Sequence, residues 1–329
     1  MARVFLLGAT GTIGQATARA LVARGHEVVA LARPRETSRP TDRRLPLAGL
    51  TWREGHVTDP ASLRRDGLRG ERFDVLVSCL ASRTGAPADA WAIDHQAQVQ
   101  ALRAARAAGV RQAVLLSAIC VQKPRLAFQQ AKLAFERALQ EEAAADPTFA
   151  YTIVRPTAFF KSLSGQVARV QAGKPFLVFG DGRLTACKPI SDDDLAAFLA
   201  DCLDHPDRRN RILPLGGPGP ALTPLDQADI LSQLLGRPVP VKRVPVGLLD
   251  AIVGLLGVGG RLIPRLKAKA ELARIGRYYA TESMLVWDAA QGRYDAEATP
   301  SAGQDTLREY YARLIAGTAT LERGEHAVF

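Results

Sequence analysis

The sequence has few cysteines, no block of like charges and no uninterrupted apolar run long enough to span a bilayer, and each shortage removes a class of protein. The four cysteines, Cys79, Cys120, Cys187 and Cys202, stand 41, 67 and 15 residues apart. A zinc site or a dithiol redox centre needs closely spaced pairs, so no metal site is expected and a reduced, cytoplasmic setting fits best. The net charge of +10 comes from 43 Lys+Arg against 33 Asp+Glu, with the arginines spread along the chain. Binding to nucleic acid through charge alone needs a concentrated basic patch, so that class is set aside. A spanning helix needs about 20 consecutive apolar residues. The most apolar run, Val244–Ile263, is broken by glycines, Asp250 and Arg261. At the N-terminus the apolar start of MARVFLLGATG meets a glycine turn within a few residues, which reads as a buried first strand and lacks the longer apolar core of a signal peptide. No internal repeat or low-complexity tract is present.

What remains is a chain of 329 residues, 47% hydrophobic and 23% charged, suited to one large or two modest globular domains. From residue 3 to about 155, short apolar runs alternate with Ala-rich amphipathic stretches, the pattern of βαβ units on a parallel sheet. The expected strands are Arg3–Leu7, Glu27–Leu31, Leu50–Arg53, Asp74–Cys79, Ala113–Ser117 and Ala150–Val154. Helices are expected over Thr12–Arg24, Pro60–Leu68, Ala88–Ala108 and Leu126–Ala143, with Gly25 and Gly109 as stops. This predicts an α/β fold, a Rossmann-type doubly wound sheet over residues 1–156, and a smaller α+β domain over 157–329 that is interleaved with the first at its start. In the second domain, Phe176–Phe179 and Thr185–Ile190 flank Asp181-Gly182 and read as a hairpin. A helix over Asp192–Leu203, a strand at Arg211–Leu215, a helix over Thr223–Leu235 and an extended run at Val239–Val244 follow.

The strongest local signal is Gly8-Ala9-Thr10-Gly11-Thr12-Ile13-Gly14, which follows an apolar strand and opens an amphipathic helix. Glycines there permit a tight turn and let backbone N–H groups approach a pyrophosphate at the helix N-terminus. The second strand ends in Arg33-Pro34-Arg35, where a free ribose hydroxyl would call for an acid and a 2′-phosphate for a guanidinium. Arg33, with Arg35 as a secondary candidate, therefore argues for NADPH. Val57, after His56 in the position where an acid is common, is expected at the adenine through its backbone. Leu80 and Ala81 at the end of the fourth strand should line the ribose, Ser117 at the end of the fifth should sit beside the nicotinamide, and Pro156 closes the sixth.

Short-chain reductases carry a Tyr four residues before a Lys on the helix after the fifth strand, both on one face. Here the positions read Phe128-Gln129-Gln130-Ala131-Lys132. Without a phenol, proton donation to a developing alkoxide fails, which disfavours ordinary carbonyl chemistry. Lys132 is either a surface lysine or a ligand to the nicotinamide ribose.

The sequence resembles the NADPH-dependent divinyl chlorophyllide and divinyl protochlorophyllide 8-vinyl reductases, atypical short-chain dehydrogenase/reductases of chlorophyll and bacteriochlorophyll synthesis. The resemblance lies in Leu116-Ser117-Ala118-Ile119-Cys120-Val121-Gln122-Lys123-Pro124, in Phe128 to Lys132, in Ile153 to Leu163 (IVRPTAFFKSL), and in Phe179-Gly180-Asp181-Gly182 leading to Cys187-Lys188-Pro189-Ile190-Ser191. That family carries Phe where other reductases carry the Tyr. The resemblance implies reduction of the C8 vinyl group of a Mg-tetrapyrrole to ethyl, with Lys132 and Ser117 near the reacting centre. A broad, flat, apolar substrate with a carboxylate wants aromatic walls and cations, for which Phe128, Phe159, Phe160, Lys161, Cys187 and Lys188 are candidates. Phe159 and Phe160 read equally as interdomain core. None of His56, His95 and His205 stands out as an axial ligand to the substrate's magnesium. Two other classes stay open: an NADPH-binding sensor or assembly factor without turnover, and a reductase of another conjugated small molecule. For Val244–Ile263 the first reading is a helix packed on the floor of the second domain. The second is a peripheral contact with anionic lipid, helped by Arg261, Arg265, Lys267 and Lys269, on the cytoplasmic face of a photosynthetic membrane.

Overall fold

The computed structural model describes residues 1–34, 44, 46–262 and 264–319, so Arg35 lies outside the described residues. The first elements are β1 (Arg3–Leu7), α1 (Thr12–Ala23), β2 (Glu27–Ala32), β3 (Leu50–Glu54), α2 (Pro60–Ser62) and β4 (Val75–Ser78). Next come α3 (Pro87–Ala90), α4 (Gln98–Ala107), β5 (Gln112–Leu116), α5 (Ala127–Ala145) and β6 (Ala150–Pro156). Two of the expected helices are not uniform: Leu63–Leu68 and Trp91–Ala97 wind as π-helix, extending α2 and joining α3 to α4. Gly25 and Gly109 end α1 and α4 at φ +79° and +93°, conformations that cost an L-residue with a Cβ.

The main sheet has the order β3-β2-β1-β4-β5-β6-β8, where β8 is Arg211–Leu215. The five pairings from β3 to β6 are parallel, with Val4 opposite both Val28 and Val75. Strands buried on both faces explain the continuous apolar runs VFLL in β1 and VLV in β4. Phe5, Leu7, Val29, Leu31, Phe73, Leu76, Leu115, Phe135 and Ile153 pack one core beside this sheet. The order reverses between β1 and β4, and ligands of open α/β sheets bind at the carboxyl ends of the strands at such a reversal.

The remaining elements are α6 (Phe160–Leu163), α7 (Val167–Gln171), β7 (Phe176–Phe179), α8 (Asp192–Asp201), α9 (Pro224–Leu235), β9 (Val241–Val244), α10 (Val246–Leu262), α11 (Pro264–Thr281), β10 (Val286–Asp288), β11 (Arg293–Asp295) and α12 (Leu307–Ile315). The chain divides into two compact units, 1–82 with 87–156 and 192–213, and 83–86 with 157–191 and 214–329. One break falls after Pro156, and 192–213 returns to the first unit. There α8 packs against α1, with Arg19 and Arg24 paired to Asp193 and Asp201.

In the second unit, Phe160, Val167, Val170, Phe176, Val178, Leu231 and Tyr311 form the core. Capping boxes at Thr223/Asp226 and Thr306/Glu309 start α9 and α12. The hairpin expected around Asp181-Gly182 does not form. Gly182 N–H does close a turn onto Phe179 O, but β9 takes the edge of β7 in parallel, Phe176 opposite Val241 and Phe179 opposite Val244. Residues 185–190 form only isolated bridges, Cys187 with Leu222 and Met284 and Ile190 with Phe159. Local alternation marked these residues as extended, but long-range pairing chose their partners. Nor is α10 buried as a floor helix: Leu248, Ile252, Leu255 and Val258 are exposed. Among the described residues no helix is long and apolar enough to cross a membrane.

Candidate active site

Gly8 ends β1 at φ +77°, and a Cβ built on it would lie 2.5 Å from the carbonyl carbon and oxygen of Cys79. The carboxyl ends of β1 and β4 thus touch through backbone, which only glycine allows. Gly14 is the second close approach: its Cβ would fall 2.1 Å from Gly8 O. Between them Gly11 N–H donates to Gly8 O at 3.0 Å, and Gly11 caps α1 without a side-chain hydrogen bond. The first turn of α1 holds no acidic residue, so nothing in it repels an anion from the positive end of the helix dipole. Thr10, Thr12 and Ile13 are half-buried around this turn and Gly11 is exposed. These residues fit a dinucleotide pyrophosphate.

Arg33 is exposed just past the end of β2, and its carbonyl accepts from Arg44 Nη2 at 2.9 Å. Val57 is half-buried against the core of the first unit, and the preceding backbone is fixed by His56 N–H donating to Ser62 Oγ at 2.9 Å. Beyond β4, Gln98 holds the chain twice, accepting from Ser78 Oγ at 2.7 Å and donating to Leu80 O at 3.3 Å. This leaves Leu80 half-buried and Ala81 exposed at the crevice. Pro156 is buried at the end of β6. Burial pushes the Cys79 thiol up to about 11, so it is neutral in the neutral pH range.

Helix α5 carries Phe128, Lys132 and Glu136 at i, i+4 and i+8, a row on one face. Lys132 Nζ lies 3.0 Å from Asp94 Oδ1, which also accepts from Ser82 N–H at 3.2 Å. Asp94 is buried, and its Oδ2 has no hydrogen-bond partner among the described residues. An ammonium has three donors, so one bond to Asp94 leaves two for ribose hydroxyls. Lys132 is therefore a fixed, nearly buried cation and not a solvated surface lysine. One turn on, Glu136 accepts from Ser117 Oγ at 2.5 Å and from Arg155 Nε at 3.1 Å, with Arg155 Nη2 also bonded to it. The proton of Ser117 is thus committed to Glu136, which argues against Ser117 as the proton donor. Asp94, Glu136 and Arg155 escaped the sequence reading. Glu136 carried a signal, four residues after Lys132 on the same face, but Asp94 carried none.

In the second unit the candidate substrate residues separate. Phe159 is half-exposed and caps α6, and Lys161 in α6 is half-buried. Phe160 points into the core, its ring 5.5 Å from that of Tyr310, so it is a packing residue. Cys187 is buried with its thiol pushed up to about 12, and Lys188 Nζ donates to Thr299 O at 3.0 Å, which ties that cation to its own unit. These two are better explained by folding than by a ligand, because the 185–190 segment is clamped between Leu222 and Met284. His95 stacks edge-on to Trp91, and burial lowers its pKa.

Sheet order, glycine turn and fixed lysine define a doubly wound nicotinamide-dinucleotide protein, and the family model described as NAD(P)H-binding matches residues 8–206. The fold is shared with the Escherichia coli NADPH-dependent quinone oxidoreductase solved with NADPH, at TM-score 0.67 and 19% identity over 94% of this chain and 99% of that one. The chain belongs to the divinyl chlorophyllide a 8-vinyl-reductase family: it is 50% identical to the chloroplastic enzyme of that name from Zea mays over 99% of this chain and 82% of the relative. A more distant likeness, 26% over 75% of this chain and 73% of the relative, joins it to the photosystem II assembly factor Ycf39 of Cyanophora paradoxa.

Proposed function

We propose that the chain catalyses NADPH-dependent reduction of the C8 vinyl group of divinyl chlorophyllide or divinyl protochlorophyllide, a Mg-tetrapyrrole, to ethyl. The observation that carries this reading is the 50% identity to the Zea mays reductase across nearly the whole chain. When bound, the dinucleotide would supply a hydride to the vinyl group, whose conjugation to the macrocycle removes the need for a strong acid at an oxygen, and a proton from water would complete the ethyl group. That chemistry fits Phe128, whose ring offers an apolar wall where a tyrosine would offer a proton. Lys132, held by Asp94, orients the nicotinamide ribose, and the α1 N-terminus holds the pyrophosphate. Arg33 pairs with the 2′-phosphate and sets the preference for NADPH over NADH. Phe159 and Lys161 are the second-unit residues best suited to an apolar ring system bearing a carboxylate.

The test is an anaerobic assay of the purified chain with divinyl chlorophyllide and either NADPH or NADH, with product identified by its Soret band and by chromatography. A monovinyl product formed faster with NADPH is the expected result. NADPH binding without turnover would transfer the reading to a non-catalytic assembly factor of the kind named for the Cyanophora relative.

A further inference from the structure

Helices α10 and α11 pack on each other as a pair, and the outer side of α10 holds four of the exposed large apolar residues among the described residues. Leu248, Ile252, Leu255 and Val258 recur every three or four residues and so share one face. They are exposed, Leu255 by 76% and Val258 by 63%. The opposite side of α10 is the one turned to α11: Asp250 pairs with Arg277, and a Cβ on Gly257 would lie 3.7 Å from Arg274. Leu249, Val253 and Leu256, between the two sides, are half-buried. Apolar residues thus lie on both sides, and the outward stripe is surplus to the packing of the pair.

The sequence of this helix pair and the strand before it carries a basic excess. Between residues 241 and 279 the sequence holds eight basic residues, Lys242 and Arg243 before α10 and six from Arg261 to Arg277, against two acids, Asp250 and Glu271. Both acids are in ion pairs with arginines of α11. Lys242, Arg243 and Lys269 are exposed. A second copy of the chain on this face would set one positive excess against another, which disfavours self-association. An exposed apolar face on a helix pair, with Lys242 and Arg243 exposed in the strand before it and Lys269 exposed in α11, suits a surface that is apolar beneath and anionic at its rim.

We propose that the α10–α11 pair docks the protein on an anionic lipid surface, with Leu248, Ile252, Leu255 and Val258 lying in the interface plane and the exposed Lys242, Arg243 and Lys269 against lipid phosphates. The proposal is independent of the vinyl-reductase reading, since it needs neither cofactor nor pigment. The test is flotation of the full chain with vesicles of phosphatidylglycerol and phosphatidylcholine, and with phosphatidylcholine alone, at low and at raised KCl. Flotation is expected with the anionic vesicles only and should fall as salt rises. The double variant Leu255→Glu/Val258→Glu should float at least tenfold less while its NADPH titration is unchanged. Because both side chains are exposed, the variant should fold, and Leu255→Ser/Val258→Ser, which adds no charge, should show the same direction. No flotation of the parent chain, or equal flotation of parent and variants, would overturn the proposal. A concentration-dependent dimer in sedimentation velocity that the double variant abolishes would overturn it in favour of a second copy.

Discussion

The first unit turns charge inward, and the second turns apolar surface outward. Asp94 and Glu136 are buried in the first, each against one cation, Lys132 or Arg155, at the edge of the dinucleotide crevice. In the second, the two acids of the α10–α11 pair sit in ion pairs while Leu255 and Val258 face away from it. Buried ion pairs hold side chains at fixed positions at the cost of desolvation, which suits a site that must orient a cofactor. An exposed apolar face gives up the stabilisation of its own burial, which suits a surface whose partner arrives later.

The contrast is broken most severely at the glycine turn. Gly14→Ala places a Cβ against Gly8 O, and about 3 kcal/mol of stability together with roughly a hundredfold or more of NADPH affinity should be lost. Calorimetric titration and a urea curve read the two losses separately. Glu136→Ala strips Arg155 and Ser117 of their shared acceptor and should cost about 3 kcal/mol, whereas Glu136→Gln, which keeps an acceptor, should cost less. Equal midpoints for the two variants in guanidinium would show that the buried charge is irrelevant.

Two substitutions sharpen the comparison without unfolding the crevice. Asp94→Asn should weaken NADPH binding about tenfold by releasing Lys132, while a variant of exposed Lys242 leaves it unchanged. Arg33→Ala should reduce the preference for NADPH over NADH by about tenfold, read as the ratio of the two affinities. The smallest effect is expected at His26, buried in the first unit, whose Nδ1 accepts from Ala2 N–H at 3.2 Å. Burial lowers its pKa below the ordinary value, so the folded state resists protonation more than the unfolded chain does. Its stabilising effect is complete above about pH 6.5 and declines as pH falls below it. A urea midpoint that falls less between pH 7 and 5 in His26→Gln than in the parent chain is the check.

The strand positions of the first unit were legible because most are short apolar runs alternating with amphipathic stretches that Gly, Pro or Asp bound, and the edges agree to within one or two residues from Arg3–Leu7 to Ala150–Pro156. Gly8 and Gly14 were legible because a turn that excludes a Cβ leaves a mark in sequence, whereas a Cβ on Gly11 would lie 3.4 Å from Gly8 O, an ordinary contact. The hairpin expected at Asp181-Gly182 failed because the turn is local whereas the partner of β7 comes from residue 241 onward. Phe160, Cys187 and Lys188 looked like a substrate wall because their residue types suit one. Their contacts with Tyr310, Leu222 and Thr299 come from segments 35 to 150 residues away in sequence.

By itself the sequence determined a parallel α/β unit opening on a dinucleotide turn, a lysine without its tyrosine, and a likeness to the vinyl reductases, because periodicity, glycine spacing and motif are written in neighbouring residues. Only the tertiary structure decided that Lys132 leans on Asp94, that Ser117 and Arg155 share Glu136, that 192–213 returns to the first unit, and that α10 shows its leucines to the outside. Each of these depends on which distant segments are brought within a few ångströms, a choice made by the burial of the whole chain and not by any stretch of it.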